Sequence, residues 1–176
     1  MSSPKVSVCI PVFNGSRFIR TAIESVFNQS FQDFELIICD NRSTDNTLEI
    51  VRSYNDPRIK IYQNETNIGM APNWNVVVGK AIGEYIKILP ADDSMFPDCL
   101  KLQSQILDKD SSKKISLVCG RKNVINDSGK ILFTRGFSRQ TIGISGISAI
   151  NKNVRSGGNI IGESGVVMFR REIFSK

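Results

Sequence analysis

Asp92 and Asp93 stand side by side in Pro90-Ala91-Asp92-Asp93, directly after the apolar run from Tyr85 to Leu89. Two adjacent carboxylates in that position suit a hard divalent cation. Such a cation would bridge a diphosphate and act as a Lewis acid on a leaving phosphate. The same pair also suits the approach to a helix near Pro97, through capping and the helix dipole. A second polar cluster, Asp40-Asn41-Arg42-Ser43-Thr44-Asp45, follows the apolar run Phe34 to Cys39. Asp40 and Asn41 offer an acceptor and an amide for a base or ribose, beside the plainer reading of turn and cap chemistry. A third cluster, Pro11-Val12-Phe13-Asn14, closes the run that begins at Lys5. Phe13 could stack on a base there or pack into a core.

These clusters need elements that bring them together. Lys5 to Pro11, Phe34 to Cys39, Ile59 to Tyr62, Tyr85 to Leu89 and Ile115 to Cys119 are short apolar runs of the kind that form buried strands. Between them, apolar residues at helical spacing predict a helix over Arg17 to Phe27 with Ser16 as N-cap, and another over about Asn46 to Tyr54. A third helix carries Pro72 in its first turn, repeats Trp74, Val77, Val78, Ala81 and Ile82 at helical spacing with Trp74 read as core, and ends at Gly83. A fourth opens at Pro97, with Leu100, Ile106 and Leu107 inward. Strands alternating with helices imply a parallel sheet covered on both faces. In such a sheet ligands bind at the carboxyl ends of the strands, where all three polar clusters fall. After Cys119 the rhythm changes. Val124-Ile125 and Ile131 to Phe133 flank the turn Asn126 to Gly129 as a hairpin. Thr134 to Gly162 is read as mostly loop with a short helix over Ser145 to Ile150, and Val166 to Phe169 as a last strand.

The absences narrow the chemistry. The 176 residues contain no histidine, which excludes a Ser-His-Asp triad, a Cys-His pair and a His-ligated metal. Acid–base work falls to carboxylates, Lys, Tyr or Cys. None of the four cysteines forms a C-x-x-C pair. Cys9 and Cys39, inside apolar runs, are expected to be buried and reduced. No G-x-G-x-x-G follows the first strand, and Gly79-Lys80 is not part of a P-loop. A formal charge of +6 favours anionic partners, although the basic residues look scattered along the chain. No apolar run approaches a membrane span and the N-terminus has no secretory pattern, so a cytoplasmic protein is expected.

Several of these segments, in this order, resemble family 2 glycosyltransferases. The resemblance rests on Lys5 to Asn14, on Ser25 to Asn41 followed by Ser43-Thr44-Asp45, on Asn67-Ile68-Gly69, on Ala81 to Leu89, and on Asp92-Asp93. It covers Lys5 to Leu107 strongly and Gly157 to Arg171 more weakly. It implies one GT-A domain over residues 1–176, an α/β Rossmann-like fold with a mainly parallel sheet and helices on both faces. Residues 1–110 would form the nucleotide-binding half, and 111–176 the start of an incomplete acceptor-side half.

The resemblance also implies a nucleoside-diphosphate sugar donor, most often a UDP-sugar, and a divalent metal, Mg²⁺ or Mn²⁺. Pro11, Phe13, Asp40 and Asn41 would surround the nucleotide, with Val12 and Asn14 in the same loop. Asp92 and Asp93 would serve the metal and the diphosphate. Transfer would invert the anomeric carbon of the sugar, toward a saccharide or lipid-linked acceptor in polysaccharide or cell-envelope synthesis. Two positions depart from the family pattern. The common Asp-x-Asp-Asp reads Pro90-Ala91-Asp92-Asp93, and the common Arg-Asn reads Trp74-Asn75. The catalytic base is expected beyond Lys176, with Glu163 as the fallback. That implies a chain that binds donor and transfers poorly, with uncovered apolar surface that favours a homodimer. The basic charge permits peripheral contact with the inner face of a membrane, and nucleic acid is not expected as a partner. The competing readings are a sugar nucleotidyltransferase and a non-catalytic nucleotide-binding module. The first would release pyrophosphate from nucleoside triphosphate and sugar phosphate, and the second would bind donor without turnover.

Overall fold

The computed structural model describes residues 3–136, 138, 140–157, 159 and 161–174. Its centre is a pair of fully buried parallel strands, β1 (Val6–Val12) and β2 (Phe34–Asp40). Alternation along β1 divides the core in two. Val6, Val8, Ile10 and Val12 face one layer, which contains α1 (Ile19–Phe27), α2 (Thr47–Arg52) and α4 (Cys99–Lys109). Cys9 faces the other layer, with Ile37, Cys39 and Ile86, against Val77 and Val78 of α3 (Met70–Gly79). Apolar residues on both faces of one strand explain why these runs show no polar alternation in sequence.

The chain runs outward from β1 through α1, β2 and α2 to β3 (Ile59–Gln63), which pairs parallel to β2. It then returns through α3 to β4 (Tyr85–Ile88), on the other side of β1 and again parallel. Beyond β4 the expectation of a fifth neighbouring parallel strand is corrected. The sheet order is β3-β2-β1-β4-β8-β5, with β5 (Leu117–Cys119) separated from β4 by β8 (Val167–Arg170). β8 is antiparallel to both its neighbours. After β5, which ends at the carboxyl edge, the chain forms a hairpin and a helix before it returns. It re-enters the sheet from that edge and must run backwards.

The hairpin is present as β6 (Lys122–Ile125) paired with β7 (Ile131–Arg135), a separate two-stranded sheet. The short helix near Ser145 is longer than expected. It is α5 (Gly146–Ser156), capped by the Ser145 side chain, which accepts from the Ser148 backbone N–H.

Three local expectations change. Ser16 does not cap α1, whose N-cap is Phe18 with no side-chain bond. Gly83 does not end α3, which stops at Gly79. Its bareness serves another purpose, since a Cβ at Gly83 would lie 2.7 Å from the Ser7 backbone nitrogen. Only glycine lets the chain enter β4 this close to β1. Trp74 is half-buried and outside both core clusters, and Asn73 takes the buried side of α3. The Asn73 amide donates to the Cys39 carbonyl at 3.1 Å, satisfying a strand end that an indole could not reach in the same way.

Candidate functional site

The direction of connection reverses between β1 and β4, and in sheets of this kind ligands bind at the carboxyl ends of the strands at such a reversal. One wall is the loop after β1. Asn14 adopts a positive φ of 51° there. A Cβ at Gly15 would come within 3.5 Å of the Ala91 side chain, so this loop and the one after β4 touch.

The β1 loop is stitched to the loop after β2 by side chains of the polar cluster. Ser43 Oγ accepts from Asn14 N–H at 2.9 Å, Thr47 Oγ1 from Gly15 N–H at 2.8 Å, and Asp45 from Ser16 N–H at 3.1 Å. Asn14 Oδ1 in turn accepts from Thr44 N–H at 2.8 Å. Burial opposes ionisation of Asp45, but hydrogen bonds from Thr47 and Ser16 outweigh it and hold the carboxyl down at about 2. With the loop held this way, Phe13 is left 47% exposed and free of the core. A ring in that position offers a face to a planar ligand.

Asp40 and Asn41 are placed differently from a pair of open ligand groups. Asp40 is fully buried, accepting from Ser43 N–H and from Gln63 Nε2 at 2.9 Å. Asn41 is buried with its whole hydrogen-bonding capacity used. Its Nδ2 donates to Asn67 Oδ1 and the Gly69 carbonyl, while its Oδ1 accepts from Asn64 Nδ2 and Ile68 N–H. An amide has two donors and two acceptor sites, so none remains for a base or ribose. In this arrangement the Asn41 side chain holds the Asn67–Gly69 loop in place.

The opposite wall is the turn Pro90–Asp93, closed by Asp93 N–H donating to the Pro90 carbonyl at 3.1 Å. Asp92 and Asp93 are both solvent-exposed. Chain folding brings a distant segment beside them. A one-turn 3-10 helix, Ser164–Val166, sits so close that a Cβ at Gly165 would lie 2.6 Å from Asp93 Oδ2. Glu163, its N-cap, therefore reaches the same edge and forms an ion pair with Lys122. Partial burial, then the Asp92 and Glu163 charges, push the Asp93 carboxyl above its ordinary range, with Lys122 and Lys87 opposing them.

Lys87 is a residue of this edge that the sequence reading did not single out. It is fully buried in β4, and its ammonium donates to the Gly165 carbonyl at 2.8 Å. Burial lowers its pKa, with the neighbouring Cys99 opposing. A lone lysine in the otherwise apolar run Tyr85-Ile86-Lys87-Ile88-Leu89 was the available signal. Gly165 and Lys122 had none, because only the return of β8 brings their segments here.

The donor set at Asp92-Asp93 is oxygen only, which suits Mg²⁺ or Mn²⁺. Among the described residues no group of three or more His, Cys, Asp or Glu side chains is assembled to enclose an ion. Two carboxylates with open positions match a cation shared with phosphate oxygens and water. The region beyond Lys176, where the base was expected, lies outside the described residues.

A family model described as Glycosyl transferase family 2 matches residues 7–176. The chain is 41% identical over 111 residues to EpsE of Bacillus subtilis (strain 168), a protein named as a glycosyltransferase; the match covers 61% of this chain and 40% of that protein. It is 33% identical over 123 residues to the Escherichia coli UDP-Glc:alpha-D-GlcNAc-diphosphoundecaprenol beta-1,3-glucosyltransferase WfgD, covering 70% and 47%. Among solved structures, S. aureus TarS 1-349 in complex with UDP aligns at 34% identity and TM-score 0.57, over 60% of this chain and 32% of that one. A second TarS 1-349 structure superposes over 97% of this chain and 48% of that one, with TM-score 0.76 at 24% identity, a likeness of fold. The chain thus spans less than half the length of these relatives.

Proposed function

Because the chain belongs to glycosyl transferase family 2, we propose that it carries the donor site of an inverting sugar transferase. The donor is a nucleoside-diphosphate sugar, with UDP as the nucleotide. The acceptor is a saccharide or lipid-linked saccharide of polysaccharide or cell-envelope synthesis. The observation that carries this reading is the meeting of the Phe13 loop with the Asp92-Asp93 turn at the point where the sheet reverses direction. The UDP-bound TarS relative supports the choice of nucleotide, and the acceptor in the name of WfgD supports a lipid-linked class. Residues 1–110 supply the nucleotide half, and 111–176 begin the acceptor side. The reading places the protein in the cytoplasm, peripheral to the membrane. Among the described residues no helix is long and apolar enough to cross a membrane.

Within this reading each part has a task. Phe13 stacks on the base, and the backbone of Pro11 to Asn14 lines its pocket. Asp40 and Asn41 act at one remove, by fixing the loops beside the nucleotide. Asp92 and Asp93 would hold the divalent cation, which when bound neutralises charge on the diphosphate leaving group. Glu163, exposed beside Asp93 and paired with Lys122, is the described carboxylate placed to take a proton from an acceptor hydroxyl. A base supplied from beyond Lys176 would leave Glu163 to shape the acceptor side.

Calorimetry with UDP tests the assignment. Affinity should be higher with Mn²⁺ than with EDTA, and Asp93→Asn should remove that difference while the circular dichroism spectrum is kept. UDP binding that ignores metal in both proteins would refute the metal assignment, and no UDP binding at all would refute the donor site.

A further inference from the structure

The positive charge of this chain is concentrated in one segment. Residues 111–162 contain nine Lys or Arg residues and one acidic residue, Asp127, whereas the remainder holds 14 basic and 16 acidic residues. Between Ser128 and Gly162 there is no acidic side chain. Inside that stretch lies α5, closed at one end by the Ser145 cap and at the other by Gly157 in the left-handed conformation.

The helix faces the wrong way for a core element. A surface helix ordinarily turns its apolar stripe inward. Here the small Ala149 is buried, while Ile147, Ile150 and Val154 are 74%, 61% and 77% exposed. With 3.6 residues per turn, those three share a stripe about 60° wide, on the side of the helix away from Ala149. Arg155 follows on one flank, whereas Lys152 lies on the opposite side of the helix. Ile142 and Ile144, just before the cap, extend the exposed apolar surface along the chain.

We propose that the outward face of α5 docks on an anionic lipid surface. Ile147, Ile150 and Val154 enter the boundary between headgroups and acyl chains, and Arg155 meets the headgroups. An exposed apolar stripe with a basic flank is the pattern of a helix lying in a membrane interface. Charge decides between this and a second copy. A two-fold interface would set this basic segment against itself, and like charges repel. An anionic leaflet attracts it. The inference rests on the proposed placement at the membrane but not on the nucleotide, so vesicle flotation and UDP calorimetry can fail separately.

Vesicle flotation of the full chain tests it. The protein should float with vesicles of phosphatidylglycerol and phosphatidylcholine, stay behind with phosphatidylcholine alone, and detach as salt is raised. Replacing Ile147, Ile150 and Val154 together by Ser should weaken partitioning at least about tenfold. So should Arg155→Glu. Unchanged UDP affinity and circular dichroism would show that both variants remain folded. Failure of the wild-type chain to float with anionic vesicles would overturn the proposal, as would equal flotation of the serine variant. A dimer in sedimentation that the serine variant dissociates, with no flotation of the wild type, would assign the face to a second copy.

Discussion

At the scale of single residues, the proposed site divides into groups open to a ligand and groups that hold them. Phe13 belongs to the first kind because its ring is already outside the core. Phe13→Ala should weaken UDP by roughly tenfold, in line with about 0.5–1.5 kcal/mol for an aromatic contact beyond area burial. The melting temperature should barely change, and a large fall with intact binding would make Phe13 a packing residue after all. Asp45 belongs to the second kind. Its carboxyl is depressed to about 2 from an ordinary 3.8 by the bonds that join two loops. A depressed carboxyl contributes stability that is present above its unfolded pKa and lost as pH falls through the folded one. Comparing denaturant unfolding of the wild type and Asp45→Asn, the wild-type advantage should be constant above about pH 5 and shrink between about 4 and 2. An advantage independent of pH across that range would show that the carboxylate is not what stitches the loops. Asp45 was legible only as turn chemistry, because Thr47 is a local partner at the start of α2 while Ser16 lies in the distant β1 loop.

At the scale of elements, close approach decides the sequence at two glycines. Gly83 lets the chain enter β4 against Ser7, and Gly165 lets the 3-10 turn lie on Asp93. Gly79, at the end of α3, has open space for 4 Å around the point where a Cβ would stand. Gly83→Ala should therefore cost about 1–3 kcal/mol, the usual range for overpacking. Gly79→Ala should be neutral or stabilising by up to about 1 kcal/mol, through reduced freedom of the unfolded chain. Equal effects in chemical denaturation would contradict the packing argument. Lys87 acts on the same scale, since its ammonium ties β4 to the 3-10 turn through the Gly165 carbonyl. Lys87→Met should speed amide exchange at Gly165 and Val166 while leaving β1 and β2 unchanged. Unaltered exchange in the turn would remove Lys87 as the residue that positions it.

At the scale of the whole molecule, burial is uneven. Every residue of β1 and β2 is buried, whereas every residue of β7 is exposed. Amides with few buried contacts open at low free energy, and core strands open only with global unfolding. Hydrogen exchange should therefore be slowest in β1 and β2 and faster by orders of magnitude in β6, β7 and α5. Equal protection in the two regions would mean that something covers the second half. Binding to anionic vesicles should raise protection in α5 first, which links this pattern to the docking face.

The sequence by itself determined the parallel core. Apolar runs of strand length alternating with helical periodicity specify parallel strands for β1 through β4 without fixing their order, and polar clusters directly after such runs lie at the carboxyl edge. The hairpin was equally legible, since Asn126 to Gly129 is local turn chemistry. Which candidate residues stay open to solvent was settled by the packing of the chain. Asn41 and Phe13 look alike as candidates on paper, yet one spends all its hydrogen bonds inside the protein and the other keeps its ring in solvent. It also decided that β8 runs backwards between β4 and β5, and so that Glu163, Gly165 and Lys122 gather at Asp93. Those contacts join positions about seventy residues or more than twenty apart in the chain. Local periodicity carries no record of such a meeting, because it depends on where the chain re-enters the sheet.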